Sequence, residues 1–421
     1  MSRIFSALSP AQIEMHSLGY PMSPVTKSSK RSILLVVLLT LCFATNETKT
    51  LWSQEDPTLR NFDPKPALKV AATDLKKAKF MVIDMHTHLG MRLRGDREEL
   101  LRYVQVMDRN RIAVSISMDA KLGAEEDHIH FLSQGWEKRF GTFVHLDFQG
   151  KATSDDDSKV WACNQPGFVR ECVERLKVAK QKGVLGLKFF KSFGLNLKNS
   201  DGSLIKIDDP RFDPIWKTCG ELGLPVIMHV ADPVAFFQPI DANNERWEEL
   251  SRHPEWSFYG DQFPDRDELL NARNRVIKRH PQTIFIGAHF SNNSEDLAAV
   301  AKWLDEYPNL VVEFASRINE LGRQPYTARK FFIKYQDRIL FGTDGPWPEL
   351  RLSYYWRFLE TYDEYIPYSE KSPQPQGMWR IYGLGLPDSV LKKIYHENAM
   401  RLFPGVKDKF DLATGRKGYS K

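Results

Sequence analysis

Asp84-Met85-His86-Thr87-His88 ends an apolar run that begins at Phe80, and the fold turns on how that run is read. On a strand, residues i and i+2 share a face, so both imidazoles can reach one ion from a rigid element. Seven further apolar, β-branched segments follow: Ile112–Met118, Thr142–Asp147, Val184–Phe190, Pro225–Val230, Thr283–Ala288, Leu310–Phe314 and Arg338–Phe341. Each is a continuous run of the kind buried on both faces. Amphipathic stretches such as Phe168–Lys182, Asp267–Arg279 and Leu297–Tyr307 separate several of them. Alternating strand and helix predicts a parallel sheet. Eight strands with helical crossovers over roughly 265 residues match one closed (β/α)8 TIM barrel. The alternative is a doubly wound open sheet. It is disfavoured because no Gly-rich phosphate turn follows the first strand and because polar residues cluster after many different strands.

Those polar residues carry the chemistry. Met228-His229 ends the fifth segment, Ala288-His289 the sixth and Gly342-Thr343-Asp344 the eighth. In a barrel all these ends gather on the C-terminal face. Three of these His and one carboxylate there make a nitrogen-rich shell suited to zinc or a similar divalent ion. Any one of these His could be a core residue bonded to backbone, but four polar positions at strand ends argue together for a site.

As a set, Asp84-Met85-His86-Thr87-His88, Ile227-Met228-His229, Gly287-Ala288-His289, Leu340-Phe341-Gly342-Thr343-Asp344 and His396-Glu397-Asn398-Ala399 resemble the amidohydrolase-related family of the amidohydrolase superfamily. The resemblance spans about residues 80 to 404. It implies that His86, His88, His229 and Asp344 bind the metal. It also implies that Asp344 takes a proton from the attacking water and that His289 polarises the substrate carbonyl. Two reaction types come with it: hydrolysis of an amide, lactone or ester, which is favoured, and non-oxidative decarboxylation of an aromatic or unsaturated acid. A third reading is a non-catalytic exported binding protein on the same barrel.

Lys188 ends the fourth segment, and a lysine in an apolar strand is costly unless paired or modified. Three readings stay open: a substrate-binding ammonium, a carboxylated bridge between two metal ions, or a side chain aimed outward. One ion per chain is expected, two if Lys188 is carboxylated. Glu313, Arg317 and Arg323 follow the seventh segment, and the guanidinium fork of Arg317 suits a substrate carboxylate. His128 and His130 also spell His-X-His, but on a helix i and i+2 face apart. His145 could line the site; His253 and His280 read as solvated, and His396 as packing for the last helix.

The rest of the chain bounds its setting. Lys27, Lys30 and Arg31 precede the apolar run Ile33–Ala44, which reads as a secretory signal cleaved near Ala44 and places the protein in the periplasm or outside the cell. An uncleaved membrane anchor is the lesser reading, since twelve residues are short for a span. Met22 would begin a more ordinary signal, and lipid attachment at Cys42 is discounted because Leu41 precedes it. Residues 45–78 read as a linker or arm, 79–404 as the catalytic barrel and 405–421 as a frayed tail. Cys163, Cys172 and Cys219 remain after cleavage; buried thiols are preferred to a Cys163–Cys172 bridge. The net charge of +5 is spread along the chain and gives no nucleic-acid footprint. The expected partner is a small-molecule substrate, with self-association left open. Two long connections, Ala231 to about Pro264 and Pro346 to about Gly385, are rich in aromatics and read as ordered lids.

Overall fold

The computed structural model describes residues 58, 61–153 and 156–415. The chain divides into two units, Met1–Phe62 and Asp63–Lys421, and the barrel belongs wholly to the second. The segment expected to direct export, with Met22, Lys27, Lys30, Arg31 and Cys42, lies outside the described residues. Among those described, no helix is long and apolar enough to cross a membrane.

Eight parallel strands run in sequence order around the sheet. They are β1 (Val82–Thr87), β2 (Ile112–Lys121), β3 (Phe140–His145), β4 (Gly186–Phe189), β5 (Val226–Met228), β6 (Phe285–Gly287), β7 (Leu310–Glu313) and β8 (Ile339–Leu340). Each overlaps one of the predicted runs. The ring closes where the Met85 N–H donates to Phe341 O at 3.0 Å and the Asp344 N–H to His86 O at 2.8 Å. Ile83, Met85, Val114, Ile116, Phe143, Ile227, Ile286, Val311 and Leu340 form one buried cluster that fills the interior. Gly186 is required there, because a Cβ would lie 2.4 Å from the Phe143 ring.

Helices α1 (Arg97–Asn110), α2 (Glu125–Ser133), α3 (Phe168–Gln181), α4 (Asp213–Glu221), α5 (Arg266–Arg279), α6 (Leu297–Glu306) and α7 (Pro325–Lys334) form the crossovers. Asp96, Asp265 and Asp296 cap α1, α5 and α6 by accepting free N–H groups of the first turn, which fixes where each helix starts. α1 turns Leu100, Tyr103, Val104 and Met107 inward, the stripe that its sequence spacing dictates.

Two features differ from the expectations, and the cysteines meet theirs. The connection after β8 opens with a helix, α8 (Glu349–Glu360), rather than running as a loop. The tail after Pro404 is not frayed where it is described: α9 (Pro404–Thr414) buries Val406 and Phe410 in the interior cluster beside Met81, Leu185 and Ile284 at the strand starts, closing the N-terminal end. All three described cysteines are free and buried, and burial pushes the thiols of Cys163 and Cys172 up to about 11 and 12. Residues 61–78 have no regular secondary structure and run as an arm, pinned where the Thr73 N–H and hydroxyl donate to Asp363.

Candidate functional site

The ends of β1 and β8 are locked together before any ligand atom is placed. Buried Asp84 accepts from the Thr343 hydroxyl at 2.5 Å, from the Thr343 N–H at 3.1 Å and from the His86 N–H at 3.2 Å. Asp344 follows in the left-handed region at φ 64°, a conformation that non-glycine residues hold only when the surroundings impose it. The barrel therefore aims this carboxylate at the two imidazoles of β1.

His86 and His88 are each held from behind by a carboxylate. His86 Nδ1 lies 2.9 Å from Glu313 Oε1, and His88 Nδ1 lies 2.5 Å from Asp119 Oδ1. A carboxylate of this kind only accepts, so both Nδ1 atoms carry the proton and both Nε2 atoms present lone pairs. Those Nε2 atoms face each other at 3.3 Å, with Asp344 Oδ1 at 3.3 Å from His88 and 3.7 Å from His86. In the neutral rings two lone pairs and a carboxylate oxygen converge here, with Lys188 Nζ 3.3 Å from His86 Nε2 beside them. The donor set thus fits a divalent ion, with nitrogen ligands backed by carboxylates as metal-binding His usually are.

His229 stands beside this trio. Its ring centroid is 4.4 Å from that of His289, but its Nε2 lies 3.2 Å from Asp232 Oδ1. Asp232 also pairs with Lys191. The structure therefore brings three of the four expected ligands into one cluster, with His229 adjacent and turned to a neighbouring carboxylate.

His289 sits in an unusual backbone. His289, Phe290, Ser291 and Asn292 all have φ between 53° and 60°, a full left-handed turn of L-residues. Two buried arginines of α5 grip it: Arg273 donates to Ser291 O at 2.6 Å and Arg266 to Asn292 O at 2.5 Å. Arg266 also donates to Asp232 O at 2.9 Å, tying the turn to the loop after β5. The His289 N–H donates to Glu313 Oε1 at 2.8 Å, and its ring Nδ1 donates to Ala315 O at 2.8 Å. The remaining Nε2 carries a lone pair in the neutral ring. Its ring centroid is 5.0 Å from that of His86.

Electrostatics follow burial and pairing. Burial drives His289 and His86 well below the ordinary imidazole value, helped by His229 and Arg317 at the first and by Lys188 at the second. Burial takes His229 down to about 4. For His88 burial opposes the charge, but Asp119 and Asp344 outweigh it and the pKa rises. For Asp344 burial is outweighed by His88, His86 and His289, which hold the carboxyl well below its usual range. Burial raises Asp84 to about 7 and lowers Lys188 to about 8.

Lys188 points inward, its Nζ 3.3 Å from His86 Nε2 and 5.3 Å from the Phe190 ring centroid. Arg317 is buried, and one guanidinium N–H donates to Ser316 O at 2.8 Å. Ser316 in turn donates its hydroxyl to Asp344 Oδ2 at 3.1 Å. Arg323 is at the surface, paired with Glu245. His145 stands in register with Lys188, its ring edge-on to Phe190, so it lines this side of the site. His128 lies on α2 as expected, but its Nε2 is 2.9 Å from Ser117 Oγ, just behind Asp119. His130 and His253 are surface residues. His280 is not solvated; it is largely buried against Asp213. His396 donates from Nδ1 to Met81 O, a packing role.

Sequence reasoning missed Asp119 and Asp232. Asp119 is a carboxylate at the end of a strand, the same signal that found Asp344. Asp232 lies three residues beyond His229, inside a connection set aside as a lid.

Comparison with solved structures returned barrels of low identity. An uncharacterised TIM-barrel protein of Bordetella bronchiseptica is 14% identical, with 78% of this chain and 99% of that one covered at a TM-score of 0.44. A 2,6-dihydroxybenzoate decarboxylase from Rhizobium is 17% identical, with 80% and 99% covered at 0.45. A dihydroxybenzoic acid decarboxylase from Polaromonas with bound manganese and 2-nitroresorcinol is 16% identical, with 82% and 99% covered at 0.43. No curated protein matches the sequence. The sequence model of the amidohydrolase family matches residues 83–405, more than three-quarters of the chain. The chain belongs to the amidohydrolase family.

Proposed function

We propose that the protein is a metal-dependent hydrolase acting on an amide, lactone or ester. The observation that carries this is the convergence of His86 Nε2, His88 Nε2 and Asp344 Oδ1 beside His289. His86, His88 and Asp344 would hold a divalent ion, with zinc the expected metal, and His229 would complete the set if its Nε2 turned from Asp232. A divalent ion there would polarise a carbonyl and bring the pKa of a bound water to about 7.

The chain's own residues handle the protons. Water oxygen adds to the carbonyl carbon while its proton passes to Asp344, and Asp344 returns that proton to the leaving nitrogen or oxygen as the carbon–heteroatom bond breaks. His289 already holds its proton at Nδ1, so in the neutral ring Nε2 is an acceptor. The neutral ring therefore orients the attacking water by accepting from it, whereas the carbonyl-polarising role that the resemblance implies would need a proton at Nε2, which burial disfavours. Lys188 and Arg317 bind the substrate.

A second reading, non-oxidative decarboxylation, is favoured by one observation. Lys188 and Arg317 are buried cations with no carboxylate within 4.0 Å among the described residues, a setting that suits an acid about to leave as carbon dioxide. Metal analysis of the purified protein, combined with a screen that follows both acid release and carbon dioxide release, separates the two. A metal-free protein that is active and indifferent to chelators ends both readings. We further propose that the protein is exported, on the basic flank and apolar run at Lys27–Ala44.

A further inference from the structure

We infer that the substrate carries a carboxylate apart from the bond that is broken, and that the open guanidinium fork of Arg317 binds it. This rests on the hydrolase reading above and deepens it.

The argument starts from where the buried positive charges of this face find their partners. Arg246 pairs with Glu249 and Glu320. Lys191 pairs with Asp232. Arg266 has only the exposed Asp267 carboxylate, at 4.0 Å, and Arg273 has none among the described residues, but their N–H groups are spent on the carbonyls of Asp232, Ser291 and Asn292 and on the side chains of Asn293 and Asn274. Lys188 and Arg317 are the exceptions, and Lys188 lies against His86 Nε2. Arg317 is only 6% exposed, yet among the described residues it makes one side-chain hydrogen bond, to the carbonyl immediately before it in the chain.

A guanidinium has five N–H donors in a planar fork, and the Arg317 nitrogens are not among the fully buried side-chain atoms that lack a partner, so the donors left over stay open to a ligand. Arg is suited to bidentate recognition of such an anion. The position agrees. Arg317 follows Ser316, whose hydroxyl touches Asp344, and it acts electrostatically on His289 and on Asp344 itself. An anion on this fork would therefore lie on the β7 side of the metal cluster, next to the Ser316 that touches Asp344. The fork's two parallel N–H groups match the two oxygens of a carboxylate. Lys188 sits differently, against His86 Nε2, and so belongs to the reacting group rather than to this anion.

The test uses zinc-loaded full-length protein and two probe pairs. Calorimetric titration compares succinate with its neutral diamide, and a nitrophenolate-release assay compares 4-nitrophenyl hydrogen succinate with 4-nitrophenyl butyrate. Arg317→Met is expected to weaken succinate binding about 10- to 100-fold, the worth of a charge-assisted bidentate pair, with metal content and thermal midpoint recorded on the same sample. Arg317→Lys, which keeps the charge and loses the fork, should fall between and stands in if the Met variant does not fold. Where the esters turn over, the charged one should be preferred, and the preference should collapse in both variants. Succinate bound equally by wild type and Arg317→Met would put the carboxylate on the ion and overturn the inference. So would the diamide binding as well as the acid, or inorganic phosphate outcompeting succinate. Failure of the hydrolase reading looks different: no metal retained and neither ester cleaved, while the succinate titration still reports on Arg317.

Discussion

Glu313 Oε1 lies 2.9 Å from His86 Nδ1, and both side chains are fully buried. The same oxygen accepts the backbone N–H of His289, while Oε2 accepts the N–H of Ala315 at 2.5 Å. One carboxylate thus sets the tautomer of a metal-facing imidazole and the backbone of the residue proposed to work beside it. Replacing it with the near-isosteric Glu313→Gln turns an acceptor into a donor aimed at other donors. Metal affinity should fall about 10- to 100-fold, as removal of a carboxylate behind a ligating His usually does. Competition with a chromophoric chelator measures it; unchanged affinity would mean that His86 is oriented by something else.

Asp344 and His289 should separate metal binding from chemistry. Asp344→Asn removes a charged ligand and the proton acceptor together, so metal content and turnover fall in parallel. His289→Ala should keep the metal and lose turnover by about 10²- to 10⁴-fold. Near-normal turnover with metal retained removes His289 from the mechanism.

The metal-free protein should lose stability in acid through its neutral imidazoles. His86, His229 and His289 have folded pKa values below the unfolded value of 6.5, so below pH 6.5 the unfolded chain binds more protons than the folded one. Their contribution is complete above pH 6.5 and is lost as pH falls toward about 4, the folded value of His229. Each such group steepens the fall by about 1.4 kcal/mol per pH unit within its window. His88, with a raised pKa, works in the opposite direction. Denaturant midpoints of the chelated protein between pH 4 and 7.5 test this, and His229→Gln should flatten the curve. A flat wild-type profile contradicts it.

Arg273→Met leaves Ser291 O without its buried donor. The cost should be about 1–3 kcal/mol in unfolding free energy. Turnover per metal ion should drop as well, because the turn that aims His289 loosens. A variant that is less stable but fully active per folded molecule would confine Arg273 to stability.

For export, Edman sequencing of protein recovered outside the cytoplasm should begin near Thr45. Soluble cytoplasmic protein that retains Met1 or Met22 would refute the signal reading.

What could be read from the chain follows from how local each feature is. The strands announce themselves because both faces are buried, so Val226–Met228 and Phe285–Gly287 stay apolar throughout even at three residues each. His86 and His88 are legible because strand spacing alone puts them on one face. The carboxylates behind them are not: Glu313 reaches His86 across 227 positions of sequence and Asp119 reaches His88 across 31. The capture of His229 Nε2 by Asp232 depends on the path of an irregular loop. Nothing in Ala288-His289-Phe290-Ser291-Asn292 signals a left-handed turn, because its cost is met by arginines on a helix that precedes it in the chain.

That turn also sets where the protein can change. A left-handed coil of four L-residues has one length: adding or deleting a residue between His289 and Asn292 would rotate the imidazole off its bearing and slide the gripped carbonyls past Arg266 and Arg273. Gly287 permits no side chain, since a Cβ there would meet Ser291 Oγ at 1.8 Å. The stretch after β6 is therefore closed to insertion. New substrate range, whether by natural drift or in the laboratory, has to be written into the long connections after β5 and β8, where extra residues disturb no such register.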